Sequence, residues 1–203
     1  MDGPEHAVSV ATGGTALGSI DVEQGDVLYL ALEDNERRLQ DRLQILLQGN
    51  PLPPRLHLAT QWTKIGDGCM QAIDAWIQQA TAPRLIVIDT LKKVKKGRGA
   101  KDMYDHDYDV GACIHTTAHI HGVAMLAVHH LKKESTDDPM DQISGSLGLT
   151  GSVDGSLMLE RKRGEDSAIL HIMGAMEMRR ENRGLVSGCW TIQTINICAF
   201  WTI

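Results

Sequence analysis

Short apolar runs bounded by turn or polar residues recur along the first two thirds of the chain. The segments 25–32, 84–89 and 122–128 are rich in valine, isoleucine and leucine, and a shorter run covers 56–59. Continuous apolar runs of this length are typical of strands that are buried on both faces of a parallel sheet. The pattern therefore predicts four such strands.

Amphipathic segments lie between these runs. The first follows Asp34-Asn35, two residues suited to cap a helix, and ends at Gly49-Asn50-Pro51. Its apolar positions share one helical face, namely Leu39, Leu43, Leu46 and Leu47. Further helices are predicted over 70–80 and 107–121. Strands that alternate with helices in this way indicate an α/β domain.

The pattern changes after about residue 151. Shorter segments at 156–160, 168–173 and 188–192 predict antiparallel strands joined by charged turns. The predicted fold is a mostly parallel sheet flanked by helices, with a C-terminal antiparallel extension, and we assign 1–193 to one domain. The apolar run 194–203 is left unassigned, although such a run needs a partner surface.

Composition narrows the functional classes. The 203 residues include 42% apolar and 23% charged residues, which suits one globular domain, and the net charge is −6. This charge excludes a protein that binds nucleic acid through an overall basic surface, but it is compatible with a local basic patch. No run approaches the roughly 20 apolar residues of a membrane span, and no signal-peptide pattern is seen, so we predict a cytoplasmic location and no membrane partner. The four spaced cysteines predict free thiols.

Three of the predicted strands end in polar residues that could carry chemistry. The strand ends are Glu33-Asp34, Asp89-Thr90 and His129-His130. Carboxyl ends of parallel strands meet at one edge of a sheet, where ligands bind. An apolar strand closed by one aspartate has the form of a Walker B site, where the carboxylate holds Mg²⁺ beside nucleotide phosphates. The alternative for any single strand end is a carboxylate that caps the next helix.

The ordered set of motifs resembles the RecA-like ATPases of the plasmid RepA-type hexameric replicative helicase group. The resemblance covers about residues 7–193 and is carried by the segments 27–34, 85–91, 102–108, 128–133 and 144–154. It implies a RecA-like core, a homo-oligomeric ring, and hydrolysis of ATP with Mg²⁺ coupled to movement on single-stranded DNA.

The resemblance also implies roles for particular residues. Glu33 corresponds to the catalytic glutamate that activates water, and Asp89 to the Walker B aspartate that holds Mg²⁺, with Thr90 beside it at the nucleotide. His130 corresponds to the residue that contacts the γ-phosphate. Three arginines are candidates for a finger that acts on a neighbouring subunit, with no choice among them: Arg179, Arg180 and Arg183.

One element of the family pattern is missing. A P-loop requires G-x-x-x-x-G-K-[ST], whose amides and lysine surround the phosphates, and this sequence contains no Gly-Lys dipeptide. The segment 7–14 resembles the end of the helix that follows a P-loop. We therefore expect a fragment, a degenerate copy or a miscalled start. We also expect weak ATP binding by this chain alone and a gap in the centre of the sheet.

A basic segment follows the Asp89 strand. Its cationic residues are candidates for contacts with a DNA backbone: Lys92, Lys93, Lys95, Lys96 and Arg98. The alternative is a solvated loop whose charges are satisfied by the acidic run 102–109. No aromatic residues interleave with the basic ones, so base stacking is not indicated.

Histidines form a second cluster. His115 and His119 are four residues apart on a predicted helix, and His106, His121, His129 and His130 accompany them. This spacing suits a transition-metal site, but His121-Gly122 also has the form of an ordinary helix end. Three functions thus remain: an ATPase domain, a non-catalytic DNA-binding or oligomer-assembly module that retains the fold, and a histidine/aspartate metallohydrolase.

Overall fold

A computed structural model describes residues 3–17, 20–97, 103–130, 149, 151–160, 167–174, 186–187 and 195–200. The helices are α1 (Gly3–Thr12), α2 (Glu36–Leu47), α3 (Cys69–Gln79), α4 (Leu91–Val94) and α5 (Met103–His121). The strands are β1 (Thr15–Ala16), β2 (Ile20–Asp21), β3 (Asp26–Ala31), β4 (Leu56–Ala59), β5 (Pro83–Asp89), β6 (Ala124–His130), β7 (Gly155–Glu160), β8 (Ser167–Gly174), β9 (Val186–Ser187) and β10 (Ile195–Phe200).

The main sheet has eight strands in the order β4-β3-β5-β6-β10-β7-β8-β9. The strands β4, β3, β5 and β6 are parallel to one another, and the pairs from β6 onward are antiparallel. This confirms the predicted α/β class with its mostly parallel sheet and antiparallel extension. A short hairpin of β1 and β2 stands apart from it.

The parallel strands are buried on both faces because helices cover each side. Leu30 and Ile88 pack with residues of α3 and α5 on one face, and Val27 and Val87 pack with residues of α1 and α2 on the other. All six residues of β3 are buried. Burial on both faces explains why these strands lack the apolar–polar alternation of a half-exposed sheet.

The ends of α2 and α5 follow local sequence chemistry. The side chain of Asn35 accepts a hydrogen bond from the backbone nitrogen of Arg38 at 2.9 Å, which caps α2 as the sequence predicts. The helix ends at Leu47; the next residue, Gln48, adopts the left-handed conformation with φ +51°, and Gly49 follows with φ +85°. Gly122, with φ +60°, follows the last residue of α5.

The C-terminal strand changes the expected picture of the sheet. The sequence assigns no element to the run 194–203, but Ile195–Phe200 forms β10, which pairs with β6 on one side and with β7 on the other. The strand joins the parallel and antiparallel parts, so the predicted gap is not found in the part of the sheet that the structure describes. The predicted strand over 188–192 lies outside the described residues.

None of the helices in the described part of the chain is long and apolar enough to cross a bilayer.

Candidate nucleotide site at the carboxyl ends of the parallel strands

Strand register brings the predicted residues to one edge of the sheet. Ala31 of β3 pairs with Asp89 of β5, and Asp89 pairs in turn with Val128 of β6. Glu33 lies two residues after Ala31, and His130 lies two residues after Val128. The strands β3 and β6 that lead to them flank β5, so they lie on either side of Asp89. Of His130 the structure describes only the backbone, which is the last position of β6.

Asp89 lies half-buried at the end of β5 and receives a hydrogen bond from a tyrosine of the neighbouring strand. The hydroxyl of Tyr29 donates to Oδ2 of Asp89 at 2.6 Å. Burial raises the pKa of Asp89, while this hydrogen bond and the positive charge of Arg42 oppose the rise. The negative charges of the Asp34 and Glu33 carboxylates raise the pKa of Asp89 further. The site is therefore electronegative and partly shielded from water, an environment that favours a divalent cation.

Glu33 is tied to the end of β5 through a second hydroxyl. Thr90 is 1% exposed, and its Oγ1 donates to Oε1 of Glu33 at 3.0 Å. The backbone nitrogen of Leu32 also donates to the carbonyl oxygen of Asp89 at 2.6 Å, which extends the pairing of the two strands past their ends. The glutamate carboxylate is thus held beside Asp89 while its side chain stays exposed to solvent.

Arg42 contributes a positive charge to this edge. Its guanidinium is paired with the carboxylate of Asp34, which is only 8% exposed. Both residues influence the charge state of Asp89. Sequence reasoning missed Tyr29 and Arg42. The available signals were a tyrosine inside an otherwise aliphatic buried strand and an arginine eight residues after Asp34, about two helical turns away.

The first helix approaches the same edge. Near its C-terminal end, the carbonyl oxygen of Val10 accepts a hydrogen bond from Gly25, just before β3. Since α1 packs on β3 and β5 and its end lies at the start of β3, its first turn lies toward the carboxyl ends of the strands. His6 in α1 is largely buried, and its Nε2 has no hydrogen-bond partner among the described residues. Burial lowers its pKa, which favours neutral imidazole.

The donor set suits Mg²⁺ better than a soft metal. The groups gathered here are carboxylate and hydroxyl oxygens, which magnesium prefers, and it commonly keeps water and phosphate oxygens as its remaining ligands. No group of three or more histidine, cysteine or acidic residues that could hold a metal ion is found within the described ranges. Asp89 could supply one carboxylate oxygen to such a cation.

The four lysines among the predicted DNA-contact residues divide into two groups. Lys95 forms an ion pair with Asp107 at 2.7 Å, in which both side chains are largely buried, and Lys96 pairs with Asp67 at 2.5 Å. Lys92 and Lys93 are exposed on α4, directly after Thr90. The remaining cationic candidates lie outside the described residues: Arg98, Arg179, Arg180 and Arg183.

Partners other than a metal account for several of the clustered histidines. His115 contacts Asp154 at 3.3 Å, and its ring lies parallel to that of His119 with centroids 6.3 Å apart. His121 contacts Asp74 at 3.0 Å. His106 lies 3.1 Å from the carbonyl oxygen of Lys96. The described contacts thus distribute these histidines among separate surface pairs.

A comparison with protein families identifies the group to which this arrangement belongs. The sequence model of a family described as an AAA domain matches residues 5–136, a span that includes Glu33, Asp89 and His130. The chain belongs to this AAA domain family. The match covers more than half of the chain, from α1 through β6, and supports a nucleotide-binding, ATPase-like module. AAA-type domains in general use a nucleotide and Mg²⁺. No curated protein matches the chain.

Proposed function

We propose that the chain is the RecA-like core of an ATPase of the RepA-type replicative helicase group, with nucleotide binding weakened by the missing P-loop motif. One observation carries the proposal. Asp89 ends β5, and Glu33 lies two residues after the end of the neighbouring parallel strand β3. Each carboxylate accepts a hydrogen bond from a hydroxyl of the other strand's segment. Two positioned carboxylates are what a metal ligand and a water-activating base require.

The proposed roles follow from position along this edge. Asp89 would hold Mg²⁺, and Glu33 would orient and deprotonate the attacking water. His130, the last residue of β6, is the candidate for contact with the γ-phosphate. The cation, when bound, neutralises charge on the phosphates. In a ring of identical subunits, a finger from among Arg179, Arg180 and Arg183 would act on the neighbouring copy's nucleotide.

Affinity for ATP is expected to be low in this chain by itself. A P-loop supplies backbone amides and a lysine that reach the phosphates, and the 203 residues contain no Gly-Lys. The described edge instead presents the carboxylates of Glu33, Asp34 and Asp89, with Arg42 already paired to Asp34. A triphosphate therefore meets net negative charge unless Mg²⁺ or another subunit compensates it.

Binding of single-stranded DNA is the second part of the proposal. Lys92 and Lys93 are the candidates, because they are exposed and lie close in sequence to Asp89. Contacts with phosphates at this place would link DNA occupancy to the nucleotide edge through the backbone, because the carbonyl oxygen of Thr90 accepts a hydrogen bond from the backbone nitrogen of Lys93 at 3.0 Å.

The test is a titration of the purified chain with a fluorescent ATP analogue and Mg²⁺, with and without single-stranded DNA. We expect saturable, Mg²⁺-dependent binding that Asp89→Ala weakens at least tenfold. Asp41→Ala is the matched control, since Asp41 is an exposed aspartate of α2. Glu33→Gln should retain binding but lose hydrolysis. Binding that Asp89→Ala leaves unchanged would contradict the proposal.

A second candidate function is a non-catalytic DNA-binding or oligomer-assembly module that retains the fold. The observation that favours it is the missing Gly-Lys, since an assembly module needs no phosphate loop. DNA binding or self-association without any nucleotide binding in the same titration would select this candidate. Loss of hydrolysis in Glu33→Gln would select the enzyme.

A further inference from the structure

Tyr29 is a buried residue whose hydroxyl contacts Asp89, the proposed metal ligand. It is 0% exposed in the middle of β3, and its ring packs with apolar residues on the face of the sheet that α1 and α2 cover. Its strand partner is Val87, whereas Asp89 pairs with Ala31. The tyrosine side chain therefore reaches two residues along the sheet, about 7 Å, to place its hydroxyl against Asp89.

The hydroxyl contacts one of the two carboxylate oxygens. Its donor bond goes to Oδ2 at 2.6 Å, a short distance typical of a hydroxyl that donates to a carboxylate. A tyrosine hydroxyl is protonated at neutral pH, so it can act as the donor in this hydrogen bond. A neutral donor orients the aspartate without neutralising it, whereas a bonded lysine or arginine would compete with a cation.

We propose that Tyr29 is a positioning residue for Asp89: it holds Oδ2 and thereby presents Oδ1 to a divalent cation in a single orientation. The inference rests on the proposed function, because it assigns the orienting group for the same metal-binding carboxylate. It predicts coordination through one carboxylate oxygen, since Oδ2 is already engaged. Without the hydroxyl, the carboxylate is free to rotate about its last torsion and to bind through either oxygen or both.

The experiment compares Mn²⁺ binding, a paramagnetic substitute for Mg²⁺, by the full chain and three variants. Electron paramagnetic resonance is used to titrate wild type, Tyr29→Phe, Tyr108→Phe and Asp89→Asn, each with and without ATP. We expect Tyr29→Phe to weaken Mn²⁺ binding about tenfold and Asp89→Asn to abolish it. Tyr108→Phe is the matched control, because Tyr108 is 45% exposed on α5, and it should bind as wild type does.

A spectroscopic readout separates orientation from stability. With ¹³C-labelled aspartate, the infrared difference between wild type and Asp89→Asn isolates the stretches of this one carboxylate. We expect the splitting typical of one-oxygen coordination in wild type and a smaller splitting, typical of two-oxygen coordination, in Tyr29→Phe. A purely structural tyrosine would lower the unfolding temperature without changing this splitting.

The outcomes distinguish the two proposals. Unchanged Mn²⁺ affinity and splitting in Tyr29→Phe, with loss in Asp89→Asn, would overturn the role of Tyr29 and leave the proposed function intact. Wild type that binds no Mn²⁺ with or without ATP would overturn both. If Tyr29→Phe fails to fold, the role of Tyr29 is tested in wild type instead, by infrared spectra of the ¹³C-tyrosine-labelled chain with and without Mg²⁺. Mg²⁺ should then shift the Tyr29 phenol signal, and an unshifted signal overturns the inference.

Discussion

The buried hydroxyl of Thr90 donates a hydrogen bond to Glu33 across the ends of two parallel strands, at 3.0 Å. The two residues are 57 positions apart in sequence, and the pairing of β3 with β5 brings them together. The contact fixes a solvent-exposed carboxylate to a buried anchor. Its strength can be measured without any assumption about catalysis.

The first prediction concerns this contact. Thr90→Val keeps the shape of the side chain but removes the donor, and we expect it to lower the free energy of unfolding by about 1 kcal/mol. A double-mutant cycle of Thr90→Val with Glu33→Ala, followed by urea unfolding, should show a coupling energy of about 0.5–1.5 kcal/mol.

In the control cycle, a different buried threonine, Thr117, is substituted in place of Thr90. Thr117 lies on α5 and donates to the carbonyl oxygen of Cys113 at 3.2 Å, so Thr117→Val should show no coupling to Glu33→Ala. Equal coupling energies in the two cycles would mean that the Thr90–Glu33 bond contributes nothing specific.

The second prediction separates two lysines of the basic segment. Lys95 and Asp107 are 17% and 12% exposed, so Lys95→Met leaves a largely buried carboxylate without its partner. We expect a loss of about 2–3 kcal/mol in the free energy of unfolding. Lys96→Met removes an ion pair whose side chains are 56% and 48% exposed, which should cost less than about 1 kcal/mol. Similar losses from both substitutions in guanidinium unfolding would refute this difference.

The third prediction concerns binding of single-stranded DNA. Replacing Lys92 and Lys93 together by alanine should reduce the slope of log K against log salt concentration by about 1.4, since each phosphate contact contributes about 0.7. Lys96→Ala is the control, because Asp67 already neutralises Lys96. Fluorescence anisotropy of a labelled oligonucleotide across a salt series measures the slope. An unchanged slope in the double variant would exclude these lysines as phosphate contacts.

The fourth prediction is that replacing a helical glycine by alanine destabilises this protein, contrary to the usual helix propensities. Gly111 lies inside α5, where alanine would ordinarily stabilise a helix by about 1 kcal/mol. An added Cβ would lie 1.9 Å from Oγ of Ser152 and 3.0 Å from its Cβ, so we expect Gly111→Ala to lower the melting temperature. In a Ser152→Gly background the same substitution should be neutral or stabilising. A stabilising effect with Ser152 in place would disprove this close approach.

The fifth prediction is a pH dependence of stability at Asp26. Burial acts to raise the pKa of Asp26, but the hydrogen bond from the Ala82 backbone nitrogen and the charge of Arg55 outweigh it, and the pKa lies below its usual 3.8. A carboxyl whose pKa is lowered by folding contributes stability above its unfolded pKa and loses it as the pH falls through the folded value.

The measurement for Asp26 is urea unfolding between pH 7 and pH 2. Asp26→Asn should be less stable than wild type at pH 7, and the difference should shrink as the pH falls below about 4. Asp41→Asn, at an exposed position of α2, should show no such trend. A difference between Asp26→Asn and wild type that does not change with pH would contradict the assignment.

Local pattern was a good guide to the parallel half of the fold. The prediction of a strand over 56–59 coincides with β4, and the predictions over 84–89 and 70–80 lie within one residue of β5 and α3. The capping role of Asn35 was also visible, because capping depends on residues three positions apart. The start of α5 was predicted four residues too late, since Met103–His106 carry no apolar periodicity.

The edge of the site was predictable because strand ends in a parallel sheet converge whatever the loops do. Glu33, Asp89 and Thr90 were named from this rule, and their chemical roles stay predictions. Tyr29 was not named, because its partner lies 60 residues away and the contact depends on register and side-chain length. The ion pairs of Lys95 and Lys96 also join distant segments, so charge counting alone overstated the free cationic surface.

The sequence alone determined the alternation of strands and helices, the order of the strand-end carboxylates and the lack of a Gly-Lys phosphate loop. These are local properties, set by periodicity, capping and residue identity. Only the tertiary structure decided that 195–200 pairs between β6 and β7, and that Tyr29 reaches Asp89. Both depend on backbone and side-chain groups far apart along the chain, whose hydrogen bonds are satisfied only when the whole sheet has formed.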